Sequence, residues 1–244
     1  MNILPALLVA ALTPAPAPVA PEYVALGDSY AAGVGAHRED CGRTANAHPA
    51  LYASAKGLEL VFAACGGATT EEVEEQVERI TPETSLVTLT VGGNDAGFTD
   101  VLTACVLRGD EACERRVAGA ERFLREELPE RLDELNARVR ERTSAPVVVL
   151  GYPRLFAPRG GCSLSVDKRA ALNRAADVLN EVVRARAEAA GFGFADVRDA
   201  FEGHGVCSDD PWINDLSLTI SDSYHPNSDG HRLGYLPALT RAAP

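Results

Sequence analysis

A chain of 244 residues, 46% hydrophobic and 24% charged, can bury a full core and has the composition of an ordinary globular domain. Its formal net charge of −12 argues against non-specific nucleic-acid binding, because phosphate contact needs clusters of Lys and Arg that are missing here. The acidic surface favours solubility and carries no information about fold.

The first residues, Met-Asn-Ile-Leu-Pro-Ala-Leu-Leu-Val-Ala-Ala-Leu, are apolar but too few to span a bilayer, and small residues with Pro follow from Thr13 to Pro21. That resembles the h-region and cleavage zone of a secretory signal peptide, although no Lys or Arg precedes it, and a disordered tail is the alternative. Residues 1–20 are therefore expected to be a leader and 21–244 a single exported domain, with no other candidate for membrane insertion. Short apolar runs then recur at Tyr23–Gly27, Leu58–Ala63, Leu86–Val91, Val147–Gly151 and Phe192–Val197. Their near-continuous apolar character predicts parallel strands buried on both faces.

Helical patterns separate these runs. In Thr69–Ile80, Val73, Val77 and Ile80 share one face while five glutamates point away, and Thr69 with Glu72 reads as a capping box. From about Cys113 to Arg142 the stripe Phe123, Leu124, Leu128, Leu132, Leu135 and Val139 predicts an amphipathic helix, bent or divided at Pro129. Val166–Ala190 predicts a further helix stopped by Gly191, and Asn227–Arg241 a last one. Strands alternating with helices predict an α/β fold: a three-layer α/β/α sandwich on a five-stranded parallel sheet. Ligands in such folds bind at the carboxyl ends of the strands, and Ser29, Gly67 and Asn94 all follow strand ends.

The six cysteines, Cys41, Cys65, Cys105, Cys113, Cys162 and Cys207, form no Cys-x-x-Cys pair, so a zinc site is not expected. An even count without metal spacing predicts disulfides in an oxidising compartment. Their order along the chain does not choose among the possible pairings.

Four short motifs carry chemistry. Gly-Asp-Ser-Tyr at 27–30 follows the first strand, and Ser29 is the candidate nucleophile if a base takes its proton. Gly33 and Gly35 behind it either admit a ligand or shape a loop. Asp222 and His225, in Ser-Asp-Ser-Tyr-His-Pro, are the candidate acid and base, the acid fixing the tautomer of the imidazole. His231 has Asp229 nearby, but two residues apart on a helix they face different ways. His37, His48 and His204 read as surface or loop residues. Gly92-Gly93-Asn94-Asp95 follows the strongest strand, where Asn94 can present its amide to a developing oxyanion. Gly66-Gly67 precedes the helix at Thr69 and offers backbone N–H groups. Each motif alone is also a plain turn or cap sequence.

Together, in this order, they resemble the SGNH (GDSL) hydrolase superfamily, whose four blocks carry Ser, Gly, Asn and His. The likeness covers nearly all of the chain after the leader. It implies Ser29 as nucleophile, His225 as base, Asp222 as acid, and an oxyanion hole from the Ser29 N–H, the Gly67 N–H and the Asn94 side chain. Within the superfamily, the cysteines and Ala-Cys-Gly-Gly-Ala-Thr-Thr at 64–70 resemble the secreted actinobacterial lipase/esterase branch. That branch implies sequential pairing: Cys41–Cys65, Cys105–Cys113 and Cys162–Cys207. Tyr30 stands where the name-giving Leu would be, and Gly66 where this branch often has Ser.

The expected function is a secreted serine esterase or lipase acting on lipid or other acyl esters, a monomer with no metal or organic cofactor. The alternatives on the same fold are a phospholipase A, a polysaccharide acetyl-esterase or acyltransferase, and a non-catalytic extracellular binding module. An α/β-hydrolase is disfavoured because Ala31 replaces the last Gly of its Gly-x-Ser-x-Gly elbow. The acyl groove is expected from loops after Gly35, after Asn94 and around Pro153–Leu164, with Arg154 and Arg159 as candidates for a phosphate headgroup.

Overall fold

Each apolar run becomes a strand. The computed structural model describes residues 20–36 and 40–244, so the expected leader, apart from Ala20, and His37 lie outside the described residues. The strands β1 (Glu22–Gly27), β2 (Glu59–Phe62), β3 (Thr84–Thr90), β4 (Val147–Leu150) and β5 (Gly193–Ala195) pair in parallel in the order β2-β1-β3-β4-β5. Val24 lies opposite both Val61 and Val87, and Val149 opposite both Leu89 and Phe194. Every residue of β4 is buried, as expected of a strand covered on both faces.

The connecting helices are α1 (Ser29–Ala32), α2 (His48–Lys56), α3 (Thr70–Val77), α4 (Phe98–Leu107), α5 (Asp110–Glu126), α6 (Leu128–Arg142), α7 (Val166–Ala189) and α8 (Leu236–Ala242). α2 and α8 pack on one another and on strands; α3, α6 and α7 form a second packed set, with α5 on α7. The result is the expected three-layer sandwich. α3 starts at its capping box, where Glu72 Oε2 accepts the Thr69 N–H at 2.8 Å. The long amphipathic stretch divides between α5 and α6, with Pro129 in the first turn of α6, where its missing N–H costs nothing.

The C-terminal helix departs from expectation. Gly230–Tyr235 is a π-helical stretch that feeds into α8, in place of one α-helix from Asn227. There Gly230 lies against the Trp212 carbonyl and Gly234 against the Phe201 ring, so close that a Cβ would sit 2.5 and 2.3 Å away. The three disulfides are Cys41–Cys65, Cys105–Cys113 and Cys162–Cys207, the pairing the family resemblance implies. Bridges of this kind typically contribute about 2–4 kcal/mol each.

The strand order places a switch point between β1 and β3, because the chain leaves β1 for one neighbour and returns on its other side. A crevice opens there at the carboxyl ends of the strands. Ser29 follows β1 and Asn94 follows β3 at that crevice.

Candidate active site

The turn after β1 is fixed from several sides. Gly27 has φ +131°, and a Cβ there would lie 2.4 Å from the Thr90 carbonyl, so only glycine lets β1 and β3 close at this point. Gln76 grips the same residue twice, accepting its N–H at 2.7 Å and donating to its carbonyl at 3.0 Å. Asp28 caps α1 by accepting the Tyr30 N–H at 2.9 Å, which places Ser29 as the first residue of the helix. The other Asp28 oxygen accepts from the Tyr152 hydroxyl at 2.5 Å, and that hydroxyl accepts the Gly93 N–H at 3.4 Å. Burial pushes the Asp28 carboxyl up to about 7, against the lowering effect of these hydrogen bonds. The turns after β1, β3 and β4 are thus bound together beneath Ser29.

Ser29 Oγ lies 2.8 Å from His225 Nε2. Nδ1 of the same ring lies 3.0 Å from the Ser223 carbonyl oxygen. A carbonyl oxygen only accepts, so Nδ1 carries the proton and Nε2 of the neutral ring is bare toward the serine. Tyr224 between them has φ +62°, a left-handed conformation uncommon for a non-glycine residue. Two hydrogen bonds hold it: the Tyr30 hydroxyl donates to the Tyr224 carbonyl at 2.7 Å, and the Tyr224 N–H donates to the Asn214 carbonyl at 2.9 Å. Tyr30, in the place of the usual Leu, therefore supports the turn that aims the Ser223 carbonyl. Its ring also packs on His225, with centroids 5.2 Å apart. Burial lowers His225 to about 4, with the Ser223 bond and the Asp222 charge acting in the opposite direction.

Asp222 therefore differs from its sequence expectation. The acceptor on Nδ1 is the Ser223 backbone, and Asp222 acts on the ring through its charge. Gly35 shapes this loop: a Cβ there would meet the Pro226 carbonyl at 2.8 Å and His225 Cβ at 2.9 Å.

Asn94 lines the same pocket as Ser29, and its Nδ2 donates to the Ala68 carbonyl at 2.9 Å, which fixes the amide and leaves its second N–H. Asp95 is wholly structural in position, accepting the Thr70 hydroxyl at 2.7 Å. The Gly66 N–H is spent on the Cys41 carbonyl at 2.8 Å, while Gly67 has φ +86° and open space where a Cβ would stand.

Beside Ser29 runs an apolar groove that opens to solvent. Its floor and walls come from Phe98 and Val101 of α4, Leu124 of α5, Leu155, and Leu172 and Leu179 of α7. The loops after Asn94 and at Pro153 contribute as expected, but the helices α5 and α7 supply much of the wall, and the stretch after Gly35 supplies none among the described residues. Arg154 is engaged by Asp177 at 3.0 Å and Arg159 is exposed outside the lining. Two other histidines are not surface residues: His48 is fully buried at the start of α2, stacked on the equally buried His231. His204 does lie in a loop, stacked on Trp212.

Residues 25–233 match the model of the GDSL-like Lipase/Acylhydrolase family. The chain belongs to that family. It is a carboxylic ester hydrolase of the GDSL lipase/esterase kind. It is 44% identical to a lipase of Streptomyces rimosus over 238 residues, 93% of this chain and 89% of that protein. Lipase 1 of Streptomyces coelicolor is 45% identical over 231 residues, 91% of this chain and 86% of that one. Among solved structures, the phospholipase A1 of Streptomyces albidoflavus superposes with a TM-score of 0.89 at 47% identity, covering 92% of this chain and all of that one. The extracellular lipase of S. rimosus gives the same TM-score, 0.89. Among the described residues no helix is long and apolar enough to cross a membrane, and no three His, Cys, Asp or Glu side chains are grouped to hold a metal.

Proposed function

We propose that the chain is a secreted lipid esterase that works through an acyl-enzyme on Ser29. The observation that carries this reading is the bare His225 Nε2, 2.8 Å from Ser29 Oγ, in a ring whose Nδ1 proton is taken up by a carbonyl. The serine proton passes to Nε2 as Oγ bonds to the ester carbon. Charge on the carbonyl oxygen meets the Ser29 N–H, the Gly67 N–H and the second N–H of Asn94, donors of the kind worth about 10²–10³ each in turnover. Collapse of the intermediate breaks the bond to the alcohol oxygen, which leaves with the imidazolium proton. Water repeats the sequence and frees the acid.

In this reading His225 is oriented by the Ser223 carbonyl, and Asp222 steadies the imidazolium through its charge, so the acid is an accessory. The groove walled by Phe98, Leu124, Leu155 and Leu179 sets an apolar lining beside Ser29, which matches a hydrocarbon acyl chain better than a sugar. That favours a lipid over an acetylated glycan, in keeping with the relatives named lipase and phospholipase A1. Export is supported by three disulfides and by a relative described as extracellular.

The test is Ser29→Ala, assayed on p-nitrophenyl esters of increasing chain length. Turnover should fall by roughly 10⁴ or more with the circular dichroism unchanged, and the parent should prefer medium or long chains. A folded variant as active as the parent overturns the nucleophile, and a preference for acetate overturns the lipid.

A further inference from the structure

Among the described residues six large apolar side chains are exposed, and three of them fall within five consecutive positions: Leu216 at 58%, Leu218 at 104% and Ile220 at 71%. They crown a hairpin whose return arm carries Ser223 and His225. Its base is closed by the Ile213–Pro226 bridge and by Asn214, whose N–H donates to the His225 carbonyl at 2.9 Å. The Asn214 side chain pins the hairpin to the Gly35 carbonyl at 2.9 Å. At the tip the backbone is satisfied inwardly: Ser217 N–H to Ser223 Oγ at 2.9 Å, Asp222 N–H to Thr219 O at 2.8 Å, and Ser223 N–H to Ile220 O at 3.1 Å. These backbone groups are satisfied within the hairpin while the three aliphatic side chains turn out. Exposed aliphatic clusters on a soluble domain mark a contact surface.

Charge narrows the partner. Asp215 is exposed at the edge of the tip, and from Asp199 to His231 the sequence contains seven acids and no Lys or Arg. A surface of anionic lipid would repel so acidic a segment, and binding there normally relies on basic clusters. We propose that Leu216, Leu218 and Ile220 form a docking tip that enters a lipid surface of no net charge and so seats the Ser29–His225 site on aggregated substrate. This extends the lipid reading of the site to how that substrate is reached. Because the tip and the base share one pinned hairpin, docking the first sets the height of the second above the surface.

The experiment uses the full chain with Ser29→Ala, which leaves vesicles intact, sedimented with phosphatidylcholine vesicles and with vesicles enriched in phosphatidylglycerol. The parent should bind the former and bind the latter more weakly at low salt. Adding L216S, L218S and I220S should weaken phosphatidylcholine binding by about tenfold or more, since the apolar area then stays in water; L218S alone should show part of the effect. In the active enzyme the triple variant should lose hydrolysis of vesicular ester to a similar extent and keep its rate on a water-soluble monomeric ester within about twofold, as exposed substitutions seldom disturb folding. Unchanged vesicle binding overturns the proposal, as does equal or stronger binding to the anionic vesicles. Parallel loss on the soluble ester makes the tip part of the site itself, and a change in self-association without lipid makes it a contact between copies. Failure of the parent on every ester would instead strike the function assigned to the site, while vesicle binding would still be read independently.

Discussion

Among the described residues two sets of imidazoles are shielded from water, and only one of them is equipped to move a proton. His225 has a partner on each nitrogen, Ser29 Oγ on one and the Ser223 carbonyl on the other. His48 and His231 stack 5.5 Å apart under Tyr235, with their Nδ1 atoms 3.3 Å from each other. The His48 N–H also donates to His231 Nδ1 at 3.3 Å, so that atom is the acceptor and His48 Nδ1 carries the hydrogen. Both Nε2 atoms of this pair are buried without a hydrogen-bond partner among the described residues. Burial drives all three rings toward the neutral form: His225 to about 4, His231 to about 3 and His48 well below its ordinary value. Desolvation alone thus gives a neutral histidine; a base needs its proton fixed on the far nitrogen and a hydroxyl at the near one.

The sharpest test of that contrast is His225→Gln against His231→Gln. The first should cost roughly 10⁴-fold in ester turnover, with the melting temperature nearly unmoved. The second keeps an acceptor for the His48 N–H, so activity should persist while stability falls by about 1–2 kcal/mol. Comparable activity losses in the two variants would erase the distinction.

Acid sharpens the comparison next. In the unfolded chain these histidines protonate near 6.5, whereas in the fold they stay neutral to lower pH, so the unfolded state binds more protons as pH drops. Stability contributed by burying them is complete above 6.5 and is lost progressively toward about 4 for His225 and about 3 for His231. Each contributes a slope of about 1.4 kcal/mol per pH unit inside its window. Urea melts at stepped pH should therefore show a steep acid loss of stability that His231→Gln makes shallower by one proton. The base must be neutral to act, so kcat/KM measured in short assays on folded enzyme should hold down toward pH 4. An acid limb near 6.5 would place His225 outside its buried setting.

Much of this was legible in the residues themselves. Near-continuous apolar runs such as Val147–Leu150 can hardly be anything but buried parallel strands, and Thr69 with Glu72 announces α3 by side chains that do the capping. α4 went unseen because its start is a glycine, Gly97, at φ +72°, with no capping side chain to read. Ser29 and His225 were visible because their chemistry resides in side chains. The Ser223 carbonyl was not, since every residue has one and only a turn with Tyr224 at φ +62° aims it. Tyr152 sits just past β4 on the same rim, where its hydroxyl donates to Asp28. His48 looked like a loop residue because nothing local tells of a ring 183 positions away that closes over it.

Asp222 offers the smallest effect and the finest discrimination. Were its carboxylate the group that fixes the His225 tautomer, Asp222→Asn should cost about 10⁴ in kcat, as loss of an orienting acid does elsewhere. With the Ser223 carbonyl holding Nδ1, the ring keeps its orientation while a favourable charge disappears. The loss should then be about tenfold or less, carried by kcat because the charge matters most once the imidazolium has formed. The acid limb should also move to still lower pH, because the Asp222 charge is one of the two influences that raise His225. A small loss in kcat together with a downward shift of that limb ties Asp222 to the electrostatics of the ring, whereas a large loss with no shift would return it to the role of orienting acid.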